Sequence, residues 1–132
     1  MLGDHPVFPV ILSTDLAISR NFYRDTLGLE LVIEDEERLV FRCGGGSTFT
    51  VSRSTVGTSD TQTQMVWRVP DLAAELADLR ARGVRIEDYD TVDLHTEGGV
   101  ADMGWAWAAW FMDPMRNALA IAQPKVAATA PR

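Results

Sequence analysis

A chain of 132 residues can build one domain with a substantial core but not two independent domains of ordinary size, which excludes a multidomain enzyme. Hydrophobic residues make up 46% and charged residues 23%, a balance that predicts a folded chain. With 12 basic against 19 acidic residues the net charge is −7, so no nucleic acid and no membrane surface is expected as a partner. No apolar run approaches the roughly twenty residues of a membrane-spanning helix, and Met1-Leu2-Gly3-Asp4-His5 lacks the pattern of a secretion signal, so a cytoplasmic protein is expected. The single Cys43 excludes an intrachain disulfide and a cysteine-rich metal site.

In chain order, residues 8–17 read as a strand running into a helix, with Asp15 placed to accept hydrogen bonds from the unpaired first-turn amides. Ile18, Phe22 and Leu27 form the predicted apolar stripe of that helix, which ends at Leu27-Gly28. A strand over 29–33, a polar turn at Asp35-Glu36-Glu37, and two strands over 38–43 and 48–52 around Gly44-Gly45-Gly46 complete the first half. Residues 64–73 then repeat residues 8–17 at an offset of 56, matching Val66 with Val10 and Asp71-Leu72-Ala73 with Asp15-Leu16-Ala17. The second helix carries Leu72, Leu76 and Leu79 and stops at Arg82-Gly83. A strand over 84–87 is predicted next, then a loop around 90–103, and residues 111–122 repeat residues 41–52 at an offset of 70. The chain is therefore a βαβββ unit written twice: module 1 over about 7–53, a linker over 54–61, module 2 over about 62–123 and a tail over 124–132.

Asn21-Phe22-Tyr23-Arg24-Asp25-Thr26-Leu27-Gly28-Leu29-Glu30-Leu31-Val32 resembles the helix-to-strand signature of the vicinal oxygen chelate superfamily, and Phe111-Met112-Asp113-Pro114-Met115-Arg116-Asn117 resembles its Asp-Pro-x-Gly-Asn turn. That superfamily includes glyoxalase I, extradiol dioxygenases, fosfomycin-resistance enzymes and bleomycin-resistance proteins. The resemblance covers about residues 7–123 and implies an α+β fold, two tandem βαβββ modules forming a curved mixed sheet around a cavity with the helices on the convex side. Arg116 stands where the turn has glycine, whereas Gly46 keeps glycine in the first copy, so the second turn is expected to be strained.

In enzymatic members, the resemblance implies a divalent metal held by His or Gln on the first strand of a unit and Glu on its last. Those positions fall here on Phe8, Gln64, Thr50 and Ala120, of which Phe8 and Ala120 carry no donor and Thr50 only a neutral hydroxyl. No metal, no other cofactor and no catalytic residue is therefore expected. Strand alternation sends Ala118, Ala120 and Ala122, with Thr48, Thr50 and Ser52, to the cavity face, where small side chains leave room. Trp110 and Met112 join them, opposite Val40 and Arg42 of the other repeat, and Gln62, Gln64 and Arg68 point the same way. Trp67 belongs by parity to the helix-packed core, while Trp105 and Trp107 face core, cavity or a subunit boundary.

The expected ligand contacts are Trp110, Met112, Gln64, Gln62, Arg68, Phe8, Val40, Arg42, Thr50, Ala120, Trp105 and Trp107. A metal-free cavity walled by tryptophan and small residues suits an aromatic or peptide-like small molecule. The composition of that cavity looks like the bleomycin-resistance branch, which implies sequestration of an antibiotic by a homodimer with exchanged strands. The alternative is an enzyme of the same fold, a lyase, isomerase, cyclase or dioxygenase, acting on a bulky natural product. A third class is a non-catalytic partner protein with its tryptophans at an interface.

Overall fold

The computed structural model describes residues 1–59 and 61–126; Asp60 of the predicted linker and residues 127–132 of the predicted tail lie outside them. The chain forms two compact units, the first comprising Met1–Gln64 with Asp113–Asn117 and the second Met65–Met112 with the remainder. Two four-stranded sheets with few helices make this an α+β fold of two modules, as the internal repeat predicts.

In the first unit the strands are β1 (Val10–Ser13), β2 (Glu30–Glu34), β3 (Arg38–Arg42) and β4 (Thr48–Arg53), ordered β1-β4-β3-β2. β1 runs parallel to β4 with Val10 opposite Thr50, while β3 is antiparallel to both its neighbours. Alternation puts Leu39, Phe41, Phe49 and Val51 on one face, all buried, with Phe41 and Phe49 stacked at 5.4 Å between ring centroids. Tyr23 packs against both rings and is fully buried.

α1 (Leu16–Arg20) starts where Asp15 Oδ1 accepts a hydrogen bond from Ile18 N at 3.2 Å, and it widens into a π-helical turn over Asn21–Thr26. The predicted stripe of Ile18, Phe22 and Leu27 is not the buried one: Ile18 is 47% exposed, and Ser19 and Tyr23 face inward instead. Hydrogen bonding makes that burial favourable. Ser19 Oγ donates to Ser13 Oγ at 2.7 Å, and the Tyr23 hydroxyl donates to Asp113 Oδ2 at 2.6 Å.

The second unit contains α2 (Leu72–Ala81), β6 (Ala101–Asp102), β7 (Ala106–Met112) and β8 (Ala118–Pro124), and its sheet is completed by β5 (Thr63–Arg68) in the order β5-β8-β7-β6. Asp71 caps α2 by accepting from Ala74 N at 3.1 Å, as the repeat of Asp15 predicts. Leu72, Leu76 and Leu79 are buried, so the second predicted stripe is the real one.

Two expectations fail in this unit. Residues 84–87 form no strand, although Val84 and Ile86 are buried and Glu87 N donates to Trp110 O at 2.8 Å. The place beside β7 is taken by β6, from within the predicted loop. Gly98 and Gly99, at φ 59° and 84°, reverse the chain there and bring the small side chain of Ala101 against Ala108. The last strand, β8, ends at Pro124.

Candidate functional site

Alternation in β7 and β8 sorts the second sheet into two faces. Ala109, Phe111, Leu119 and Ile121 lie on one, the face on which Trp67 stacks with Phe111 at 6.1 Å between centroids. Ala106, Ala108, Trp110, Ala120 and Ala122 lie on the other, with Ala101 from β6, as one buried cluster. Trp110 sits directly across from Ala120. The parity that separates Trp110 from Trp67 is thus seen in the structure.

The space over the alanines is not open within this unit. Tyr89 and Leu94, from the segment between α2 and β6, pack onto the cluster. The Tyr89 ring meets Trp110 edge-on at 5.8 Å and 88°, leaving the indole 9% exposed. Hydrogen bonds hold that segment in place: Asp88 Oδ1 accepts from Gly99 N at 2.9 Å and from Thr96 Oγ1 at 3.1 Å, and Thr96 Oγ1 accepts from Tyr89 N at 2.8 Å. Neither Tyr89 nor Leu94 stands out as a site residue in the sequence, because their place on the sheet depends on a long-range return of the chain.

Trp105 and Trp107 have the parity of Phe111, but they lie toward the far end of β7 and are 65% and 40% exposed. Lys125 Nζ stands 4.2 Å from the Trp107 ring centroid and 2.6 Å from Asp102 Oδ1. That ion pair holds the Asp102 carboxyl below the usual carboxylate range. Trp107 and Asp102 also wall a groove of about 430 Å³ whose other side is the 91–97 segment, with Asp93, Leu94, His95 and Glu97. This volume lies within the range of small-molecule sites. His95 is exposed between Glu97 Oε1 at 3.4 Å and Asp90 Oδ1 at 3.3 Å, and those carboxylates, Glu97 foremost, raise its pKa.

The other expected contacts are distributed as follows. Met112 is half-buried and Arg68 exposed in the second unit. In the first, Val40 and Thr50 face each other across β3 and β4 and are both buried, whereas Arg42 is exposed and ion-paired with Glu30 at 3.3 Å. Gln64 Nε2 donates to the Gln62 carbonyl at 3.1 Å. Phe8 precedes β1 by two residues, so it is not on the first strand as expected, and it is 54% exposed.

The donor set that the fold would offer a metal does not fit one. Ala120 lies inside the apolar cluster, Phe8 has no donor atom, Thr50 contributes a buried hydroxyl, and Gln64 alone offers an ordinary donor. Among the described residues no group of three or more His, Cys, Asp or Glu side chains comes together as a metal site. No helix among the described residues is long and apolar enough to cross a membrane.

The sequence matches the model of the Glyoxalase/Bleomycin resistance protein/Dioxygenase superfamily over residues 4–121. The chain belongs to that superfamily. Solved structures with the same fold include a bleomycin-binding protein complexed with bleomycin, at TM-score 0.71 and 17% identity, covering 92% of this chain and 99% of that one. TnmS3, an antibiotic-binding protein from Streptomyces sp. CB03234, matches at TM-score 0.68 and 19% identity, covering 92% and 98%. Lactoylglutathione lyase from Agrobacterium tumefaciens matches at TM-score 0.65 and 16% identity, covering 90% and 92%. No curated protein matches the sequence. The superfamily thus accounts for the two sheets, and the side chains on them must account for the activity.

Proposed function

We propose that this protein binds an aromatic or peptide-like natural product, such as an antibiotic, and holds it without altering it, so that sequestration confers resistance. One observation carries the reading: of the four positions where the superfamily's enzymes are expected to hold a metal, Gln64 alone offers an ordinary donor, the others being Phe8, Thr50 and Ala120, with Ala120 packed beside Trp110 in an apolar cluster. The fold shared with a bleomycin-binding protein and with TnmS3 supports it. Trp105 and Trp107 offer exposed indoles for stacking, and Arg42, Gln62, Gln64 and Arg68 supply polar groups that orient a ligand. Met112, Val40 and Phe8 complete the proposed apolar contacts and Thr50 adds its hydroxyl, while Trp110 and Ala120, covered by Tyr89 and Leu94, support the wall from beneath. The protein acts in the cytoplasm as a homodimer, since a four-stranded unit alone closes only part of a cavity.

The test is mass spectrometry of polycyclic and peptide antibiotics before and after incubation with the protein, alongside tryptophan-fluorescence quenching. Quenching with every ligand mass unchanged is the expected result. A new mass would establish turnover and favour the enzyme reading, to which the lactoylglutathione lyase fold match lends support.

A further inference from the structure

A second groove, of about 460 Å³, opens where β5 and β8 end. Val69 N donates to Ala122 O at 2.9 Å there, which sets the two chain segments side by side. Val69, Pro70 and Pro124 form apolar walls, and the polar side chains along it are Arg68, Gln123 and Lys125, with no Asp or Glu in the lining. In a chain of net charge −7, a groove whose charged side chains are all cationic is a local reversal of the protein's field. Two of its side chains keep hydrogen-bond donors that the fold does not use. Arg20, Arg24, Arg38, Arg42 and Arg82 each pair with a carboxylate, whereas Arg68 is exposed and its guanidinium has no partner among the described residues. Gln123 is half-buried, and its Oε1 accepts from Leu72 N at 2.8 Å. A backbone N–H can only donate, so the oxygen is committed to the start of α2 and Nε2 keeps both of its N–H groups. Asp71 and Gln123 thereby satisfy the first amides of α2, and the groove does not depend on that helix end. A guanidinium fork and amide N–H groups beside apolar walls complement a carboxylate carried on an apolar body. Gln123 also lies directly across from Trp107 in the sheet, and Lys125 Nζ stands 4.2 Å from that ring, so the groove adjoins an exposed indole.

We propose that this groove is a subsite for a carboxylate on the ligand, with Arg68 as its cationic anchor and Gln123 Nε2 as a second donor. The ligand class is then an aromatic or peptide-like molecule bearing a carboxylate. No ion pair of the folded chain has to break before Arg68 meets it, and Lys125 keeps its bond to Asp102 Oδ1 at 2.6 Å. This inference rests on the ligand-binding reading above, and it adds the charge that the ligand must carry.

The experiment uses two probes that differ in one group, naphthylacetate and naphthylethanol, titrated calorimetrically into the full chain at neutral pH. The acid is expected to bind about tenfold more tightly than the alcohol, with the preference shrinking as salt rises. Arg68→Met should remove most of that preference and leave the alcohol unchanged. Gln123→Glu keeps an oxygen for Leu72 N but replaces the amide donors with a negative charge, so it should weaken the acid about tenfold while circular dichroism shows the fold unchanged. Arg85→Gln removes an equal charge from an exposed position outside the groove and should leave the preference in place. Equal affinities for acid and alcohol, or a loss in Arg85→Gln as large as in Arg68→Met, would overturn the carboxylate subsite while leaving the aromatic-binding reading intact. Acid affinity unchanged in Gln123→Glu would overturn the part assigned to Gln123. Failure of both probes to bind at millimolar concentration would overturn the aromatic-binding reading and the carboxylate subsite with it.

Discussion

Arg116 adopts φ 64°, the one described non-glycine residue in the left-handed region, at the position where Gly46 has φ 75° in the first copy. A residue that carries a Cβ costs about 1 kcal/mol in that region against glycine. Arg116→Gly is therefore expected to raise stability by about 0.5–1 kcal/mol, measured by urea unfolding, the gain being limited by glycine's greater freedom in the unfolded chain. The strained turn is kept because Asp113 anchors it from inside: its carboxylate accepts from Met115 N, Asn117 N, Asn117 Nδ2 and the Tyr23 hydroxyl, all within 2.9 Å. Burial first, then the Asp113 charge, pushes the Tyr23 pKa far up, so the hydroxyl stays a donor throughout the working pH range. Tyr23→Phe removes a hydrogen bond to a buried charged group and should cost about 1.5–3 kcal/mol in the same measurement.

His95 gives the residue scale its pH dependence. Glu97 and then Asp90 raise its pKa, so the charged imidazolium is favoured in the folded chain. The linked stability is fully present below the unfolded value of about 6.5 and is lost as pH rises through the higher folded pKa. An NMR titration of the His95 imidazole should show a midpoint above the ordinary value of about 6.5, and Glu97→Gln should lower it toward that value.

At the scale of the element, the two aspartate caps are the features whose sequence signal and structural role coincide most closely. Asp71→Ala leaves the Ala74 amide without its side-chain partner at the start of α2 and should cost about 1 kcal/mol. The strand elements were legible by alternation, and the internal repeat supplied their order. Two elements were not. The π-helical turn shifts the buried face of the first helix from Ile18 to Ser19 and Tyr23, and β6 displaces the strand predicted over 84–87. In each case the deciding partner is remote in sequence: Asp113 lies 90 residues from Tyr23, and β7 takes its edge partner only after the 87–100 segment has folded back. The same segment changes the expected behaviour of Trp110. With Tyr89 and Leu94 upon it, Trp110→Ala should cost about 3–5 kcal/mol of stability rather than leave the fold untouched, read as a fall in thermal midpoint.

For the whole molecule, light scattering at micromolar concentration is expected to give the mass of a dimer. A monomer mass would count against the homodimer part of the functional proposal. The sequence by itself determined the repeated βαβββ order, the superfamily, the two capping aspartates, the glycine-to-arginine turn and the opposite faces of Trp67 and Trp110. All of these follow from local periodicity and short spacings, which backbone geometry converts directly into faces and ends. Tertiary structure alone decided that the alanine floor of the second sheet is covered by Tyr89 and Leu94, that Trp105 and Trp107 are the exposed indoles, and that Lys125 lies on Trp107 against Asp102. Those are contacts between segments that only the complete fold brings together. No periodicity encodes them, because they depend on where a loop returns to the sheet and on which polar groups find partners when it does.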